Sequence, residues 1–550
     1  MKLFPKSWML PLAAIVLLAA PLAALAQVKP VAVVSIASIK ENLADVAYLS
    51  RIAGMEDAGK SAMFFGNALT AGIDKNKPIG LYVVPEAGDF HGVAFVPVSD
   101  LKVLLEVHKE QIGTPKDVGN GILEISGQGR TAYIKEQTGW AFVAESKEHL
   151  AGLPPDPAAL LGDLPAKYNL AGKILVQNIP EELRRMAIDE LKLGVERALS
   201  SPAAQGNVNP EEAKKTVQAQ LAQLEKLISE SEEVIIGLGV NAETKSTYLD
   251  FSFTARDGTS LAKQMAAQVD AKTNFAGFLL PEASVTLNAV SKIMPEDIQQ
   301  IGPALKLYRE QANKHIDDAP DFPAEKRGPA KAVVGQMFDI FEKTLAGGTM
   351  DLGGVLLLLP KSLSFGFGGA MADGPAFEKA LKDLVALLKD QPDFPKVQFD
   401  AGTLGDLKLH KITAPVPNSE PEARELLGDK LEVIVGIGPK SVMITGGKDA
   451  EGLLKKIVDG CKAQAGKPVQ PMQINVSLLP ILKFSQSVDN NPIVATVIAS
   501  LEQGGGDRIS ITSQATPRSS TGRLEIQQGV IRAIGEAAKA FGAGFDPNAL

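Results

Sequence analysis

The chain has 550 residues, 45% hydrophobic and 22% charged, with 56 Lys+Arg against 64 Asp+Glu and a net charge of −8. This is an ordinary globular composition, and an acidic balance without basic runs excludes the phosphate-neutralising surface that nucleic-acid binding needs. A single cysteine, Cys461, excludes an intramolecular disulfide, so packing alone must hold the fold.

Residues 1–26 read as a secretory signal. Lys2 and Lys6 supply the positive start, Met9 to Leu22 the apolar run, and Ala24-Leu25-Ala26 the small-x-small site before Gln27. Cleavage is expected between Ala26 and Gln27, which takes the charge to −10 and places the chain in the periplasm or the external medium. The apolar run is short and broken by Pro11 and Pro21, so no transmembrane anchor is expected after cleavage. The aliphatic block Val355 to Leu359 stops at Pro360-Lys361 and reads as a buried strand.

Along the chain one unit recurs: strand, turn, strand, then an amphipathic helix. Gly80 to Val84 and Val93 to Val96 flank a Gly88-Asp89 turn, after which Ser99-Asp100 caps Leu101 to Val107. Ala132 to Ile134 and Trp140 to Val143 flank Thr138-Gly139, and Ser146-Lys147-Glu148 opens a short helix. Val234 to Ile236 and Tyr248 to Phe253 precede Leu261 to Met265. Period-two alternation marks the strands, while Gly, Asn and Asp mark the turns.

The units return in the same order. Gly354 to Leu359 with Phe365 to Gly369 mirrors the first, and Glu432 to Gly438 with Ser441 to Ile444 aligns on the second at an offset of 301. Arg508 to Ile511 with Arg523 to Ile526 fills the third slot. A strand running into proline also repeats, at Ile174 to Pro180 and Ile474 to Pro480, and Val34 to Ile36 is echoed by Val285 to Leu287. The expected fold is therefore α+β, with two related halves, 27–275 and 276–550. Each would be an antiparallel, curved sheet with helices on one face. A helical insertion is expected at about 180–231, where Val217, Leu221, Leu224 and Ile228 form one stripe after the loop Ser201 to Asn209, and a polar loop at Asp318 to Pro329.

Several strings imitate chemical motifs. Gly54 to Ser61 matches the phosphate-loop pattern GxxxxGK[ST], but a helical stretch, not a strand, precedes it, and Glu56 and Asp57 would put negative charge where an anion should sit. A helix-to-helix turn is expected there, with Lys60 at the surface. Gly237-Leu-Gly239-Val-Asn-Ala242 imitates a dinucleotide fingerprint, yet a strand follows; it and Gly436-Ile-Gly438 read as hairpin glycines. Ser99 and Ser260 each begin an SxxK string without the companion motifs of penicillin-recognising enzymes, so Ser99 is expected to cap its helix. The histidines His91, His108, His149, His315 and His410 show no pairing at i, i+4, so a zinc site could come only from distant segments. The Asp317-Asp318 pair beside His315 lacks calcium-loop spacing. Trp140 is expected in the core and Cys461 as a filler or partly buried thiol. No catalytic, cofactor-binding or metal residue is assigned, and no cofactor.

Gly80 to Leu153 and its echo in the second half resemble a loose group of uncharacterised exported bacterial proteins built from repeated hairpin–helix units. The strand Trp140 to Ser146 followed by a short helix Lys147 to Leu153 carries the resemblance. It implies compartment and fold, and no functional residue. The expected role is non-catalytic, through binding or scaffolding surfaces for an unidentified envelope or extracellular partner. The alternatives are a carrier of an apolar, lipid-like ligand and an envelope hydrolase with a dispersed site.

Overall fold

The computed structural model describes residues 29–542, apart from 87, 128, 200–220, 223, 321 and 392–393. The leader with its cleavage pair Ala26 and Gln27, the loop Ser201 to Asn209 and Val217 lie outside the described residues. Helices and strands intermix along the chain and every strand pairing among the described residues is antiparallel, so the class is mixed α+β. The chain divides into two compact units after Leu261.

The strands of the first unit are β1 (Ala32–Ile36), β2 (Ile79–Glu86), β3 (Asp89–Pro97), β4 (Lys116–Asp117), β5 (Ile122–Gly127), β6 (Arg130–Gln137), β7 (Trp140–Ala144), β8 (Leu170–Ile174), β9 (Ser231–Asn241) and β10 (Ser246–Ala255). They pair in the order β4–β5–β6–β7–β3–β2–β1–β8–β9–β10. Those of the second unit are β11 (Val285–Lys292), β12 (Thr349–Leu359), β13 (Ser362–Ala370), β14 (Lys396–Leu404), β15 (Leu407–Pro415), β16 (Lys430–Ile437), β17 (Ser441–Gly447), β18 (Met472–Ser477), β19 (Arg508–Ala515) and β20 (Ser519–Gln527). Their order is β14–β15–β16–β17–β13–β12–β11–β18–β19–β20. Adding ten to each strand number of the first order gives the second. Register agrees as well: Tyr133 faces Ala144 in one unit, and Ile434 faces Thr445, each 301 residues later, in the other.

Each unit builds its main core on one sheet face, and in the first unit a smaller cluster, Val98, Leu101, Leu105, Ile134 and Ala141, packs the helix Leu101–Val107 on the other face. In the first, Val93, Phe95 and Phe142 pack with Trp140 and with Leu150, Leu161 and Leu164 from short helical turns. In the second, Phe275, Phe278, Leu454 and Ile457 do so, the last two from the helix Ala450–Gln464. Two glycines make room for the rings. A Cβ on Gly80 would lie 2.2 Å from Cζ of Phe95, and one on Gly353 would lie 2.5 Å from Cδ2 of Phe278. The ring over Gly80 comes from the paired strand β3; the ring over Gly353 comes from the single turn Ala276–Phe278.

Several local expectations need correction. Asp100, not Ser99, caps Leu101–Val107, because its carboxylate accepts the Val103 N–H at 3.1 Å. The strand before Pro180 ends at Ile174, and the turn Val176–Asn178 leads to the helix Glu181–Leu199. Pro480 lies inside the first turn of Leu478–Val488, where a missing N–H costs nothing. Ser231 opens β9 instead of closing a helix, and Pro329 sits within Ala324–Ala346, so the polar loop is shorter than its composition implies.

Candidate functional site

Alternation puts successive side chains on opposite sheet faces, and pairing aligns them into rows. In the first unit the rows on the face away from the core are Ile79–Ile36–Leu170–Leu238–Leu249, then Leu81–Val34–Gly172–Ile236–Phe251, then Val83–Ala32–Ile174–Val234–Phe253. Every side chain in this lattice is aliphatic or aromatic. Ile236 is 52% exposed, Phe251 44% and Leu170 47%. The backbone groups beneath are paired in the ladder, so the face offers a ligand apolar atoms and almost nothing to hydrogen-bond.

The opposite face of the same strands holds polar groups. Asp250 is buried and accepts the Tyr168 hydroxyl at 3.0 Å, and Ser35 is fully buried. Gly237 and Gly239, read as hairpin glycines, lie in strand β9 of the β9–β10 hairpin, where the rings of Tyr168 and Tyr248 lie against them. The sealed face combines these polar groups with the apolar core residues Val33, Tyr82, Val84 and Ala171, so the informative deviation is the open face, which stays apolar where a soluble sheet usually turns polar.

The second unit repeats it. Gly354–Leu287–Ile474–Ile511–Leu524 and Leu356–Val285–Val476–Ile509–Ile526 form rows on half-exposed positions of β12, β11, β18, β19 and β20. On the sealed side, Thr273 donates to Asp351 at 2.5 Å, the Asn274 N–H donates to it at 2.8 Å, and Asn288 donates to Thr273 at 3.1 Å. Burial raises the Asp351 carboxyl above its ordinary value against the lowering effect of those hydrogen bonds. Beside this core lies a cavity of about 470 Å³ lined by Phe275, Leu407, Met443, Val458 and Cys461, among others. Burial pushes the Cys461 thiol up, the opposite of the shift that activates a thiolate.

Folding also assembles two histidine–carboxylate clusters that no sequence spacing announces. In the first unit Glu86 ends β2, His91 lies on β3 and His149 on the turn Glu148–Leu150. The pairings of β3 with β2 and β7 bring them together. Oε2 of Glu86 lies 3.2 Å from Nδ1 of His91 and 3.1 Å from Nε2 of His149, and the two rings stack at 3.9 Å, 9° from parallel. Burial, then the neighbouring His149, holds His91 below its ordinary value, opposed by Glu86. In the second unit His410 on β15 is fully buried, and its Nδ1 accepts the Asp400 N–H at 3.1 Å. Its Nε2 lies 3.8 Å from Glu378, which also pairs with Lys382 at 2.7 Å and with Lys408 at 3.4 Å.

The other singled-out residues stay apart from these features. Lys60 is exposed within the helix Glu56–Leu69, not in a turn, and pairs with Asp57 at 3.1 Å; the turn before it is made at Gly54, at φ 67°. Ser260 donates to Glu230, and Asp317 pairs with Lys331. His108 contacts the Leu69 carbonyl at 2.9 Å, and Trp140 is in the core. Among the described residues no helix is long and apolar enough to cross a membrane. No protein-family model matches the chain, and comparison with curated proteins and with solved structures gave no match.

Proposed function

We propose that this is an exported, non-catalytic binding protein whose open sheet faces take up an apolar, lipid-like ligand. The carrying observation is the lattice: row upon row of aliphatic and aromatic side chains, all but Val83 at least partly exposed, with no charge among them. Covering such positions stabilises a complex by about 25 cal/mol per Å² of apolar surface removed from water. Protein-binding faces draw on Trp, Tyr and Arg at their centres, and the lattice has none of these, which favours acyl chains over a protein partner. Export rests on the leader, and a mature protein beginning at Gln27 is the expected product.

The matching strand orders and the 301-residue offset between the β6–β7 and β16–β17 hairpins support a second inference, that the units are related copies. Under that reading the lattice was kept in both. Titration of the purified protein with a fluorescent fatty-acid analogue tests the function. Saturable binding that Ile236→Asp abolishes supports it. Absence of saturation, or binding unchanged in Ile236→Asp and Ile511→Asp variants that remain folded, overturns it.

A further inference from the structure

We infer that Glu86, His91 and His149 form a binding site for a divalent transition metal of the zinc class, in the first unit and independent of the apolar faces. Two imidazole nitrogens and a carboxylate oxygen are the donors that borderline ions prefer, and calcium and magnesium would demand more oxygen. The spacing fits. Four ligands held about 2.0–2.1 Å from zinc at tetrahedral angles stand roughly 3.3 Å from one another. Here the carboxylate oxygen is 3.2 Å and 3.1 Å from the two nitrogens.

Three features separate this cluster from a simple hydrogen-bonded trio. Nδ1 of His91 is buried, and although it lies close to Glu86 it makes no aligned hydrogen bond; an ion would satisfy it. One oxygen cannot lie in the planes of two parallel rings, so Glu86 serves His149 and leaves His91 short. Finally, among the described residues no Lys or Arg pairs with Glu86, so its charge is available to a cation.

The second cluster is the internal control. Glu378 there already has two lysines on it; Nδ1 of His410 is taken by a backbone N–H, and Nε2, though also buried without a hydrogen-bond partner, faces a carboxylate whose charge those lysines already balance. An ion entering would displace an ammonium and meet another. Two histidines with one carboxylate are therefore assigned to metal binding in one unit, and one histidine with the carboxylates Glu378 and Asp400 to charge balance in the other.

Loading requires one stacked ring to turn about its χ2 so that its lone pair points at the ion. His149, on a single helical turn, is the ring placed to do so. The half-buried position leaves a fourth coordination place for water.

The test uses the full mature protein without an affinity tag. Zn²⁺ is titrated calorimetrically, and Co²⁺ is added to report coordination through its visible absorption. One zinc equivalent is expected, with a cobalt spectrum of four-coordinate type. His149→Gln and His91→Gln should each weaken zinc by more than about tenfold, while His410→Gln and His108→Gln leave it unchanged. Circular dichroism establishes that each variant is folded, and Glu86→Gln, which alters one exposed-edge carboxylate, gives a second measure should a histidine variant unfold. No saturable zinc binding, or binding unaltered in the folded His149, His91 or Glu86 variants, overturns the assignment.

Discussion

The two histidine–carboxylate clusters, Glu86–His91–His149 and Glu378–Asp400–His410, differ in composition and in electrical setting. Glu86 faces two imidazoles and, among the described residues, pairs with no Lys or Arg, whereas Glu378 faces one imidazole and two ammonium groups. They also occupy different strands of sheets that share one strand order: β2 and β3 carry the first, β15 the second. The apolar lattice, by contrast, appears on corresponding strands of both units. What the units share is the face, and what distinguishes them is how each disposes of its buried polar groups.

Experiments can break that contrast at several levels. The largest effect is expected from the cores. Phe95→Ala and Phe278→Ala should each cost about 3–5 kcal/mol, measured by denaturant unfolding, since both rings are fully buried. A smaller, asymmetric effect is expected from the glycines beneath them. Gly80→Ala forces a methyl into a ring locked in the sheet ladder, and Gly353→Ala into one on a short turn that can shift. The first should cost about 3 kcal/mol and the second nearer 1 kcal/mol. Equal losses would mean that the two ring mountings are equally stiff.

On the lattice, Phe251→Asp and Ile511→Asp should each cut affinity for a fatty-acid analogue by roughly 10–100-fold, with little change in unfolding midpoint, because both side chains are already substantially exposed. If only one of the pair matters, the units do not share the work.

The pH dependence concerns the second cluster. Burial lowers His410 from its ordinary value of 6.5, aided by Lys382 and Lys408 and opposed by Glu378 and Asp400. The folded state therefore holds a neutral ring where the unfolded chain binds a proton. The stabilisation is complete above about pH 6.5 and is lost as pH falls through the depressed folded value. His410→Asn keeps an acceptor for the Asp400 N–H and should flatten that acid-side slope in equilibrium unfolding. A slope that persists belongs to other groups. The smallest effect is expected from Lys60→Ala, whose exposed pair with Asp57 contributes about 0.5 kcal/mol or less.

Strand alternation was readable from sequence because its period is two: Leu249, Phe251 and Phe253 fall on one face in the sequence and in the structure. Which face would be sealed was not readable, since Leu and Phe at alternate positions look like core wherever they occur. Only the pairing of β1 with both β2 and β8 shows Ile36 standing between Ile79 and Leu170 on the open side. The metal donors were hidden for a similar reason. His149 lies 63 positions beyond Glu86, and the two meet because β3 pairs with β7, a contact that local propensity does not encode. The capping error at Ser99 is of another kind: Ser and Asp both cap well, and adjacent candidates are resolved only by backbone geometry.

The terminal strands β4 and β14 bear on how such a protein survives at high concentration. An open apolar face beside a long, flat strand edge would be a template for fibre growth. Here β4 is only two residues long, and β14 breaks register between Gln398 and Gly402, with Asp400 turned to φ 54°. Neither presents a continuous row of free amides and carbonyls to a second chain. The aggregation risk created by the apolar lattice is thereby kept from propagating along the hydrogen-bonding direction at these strands, so loss of the β14 bulge would be felt first as insolubility.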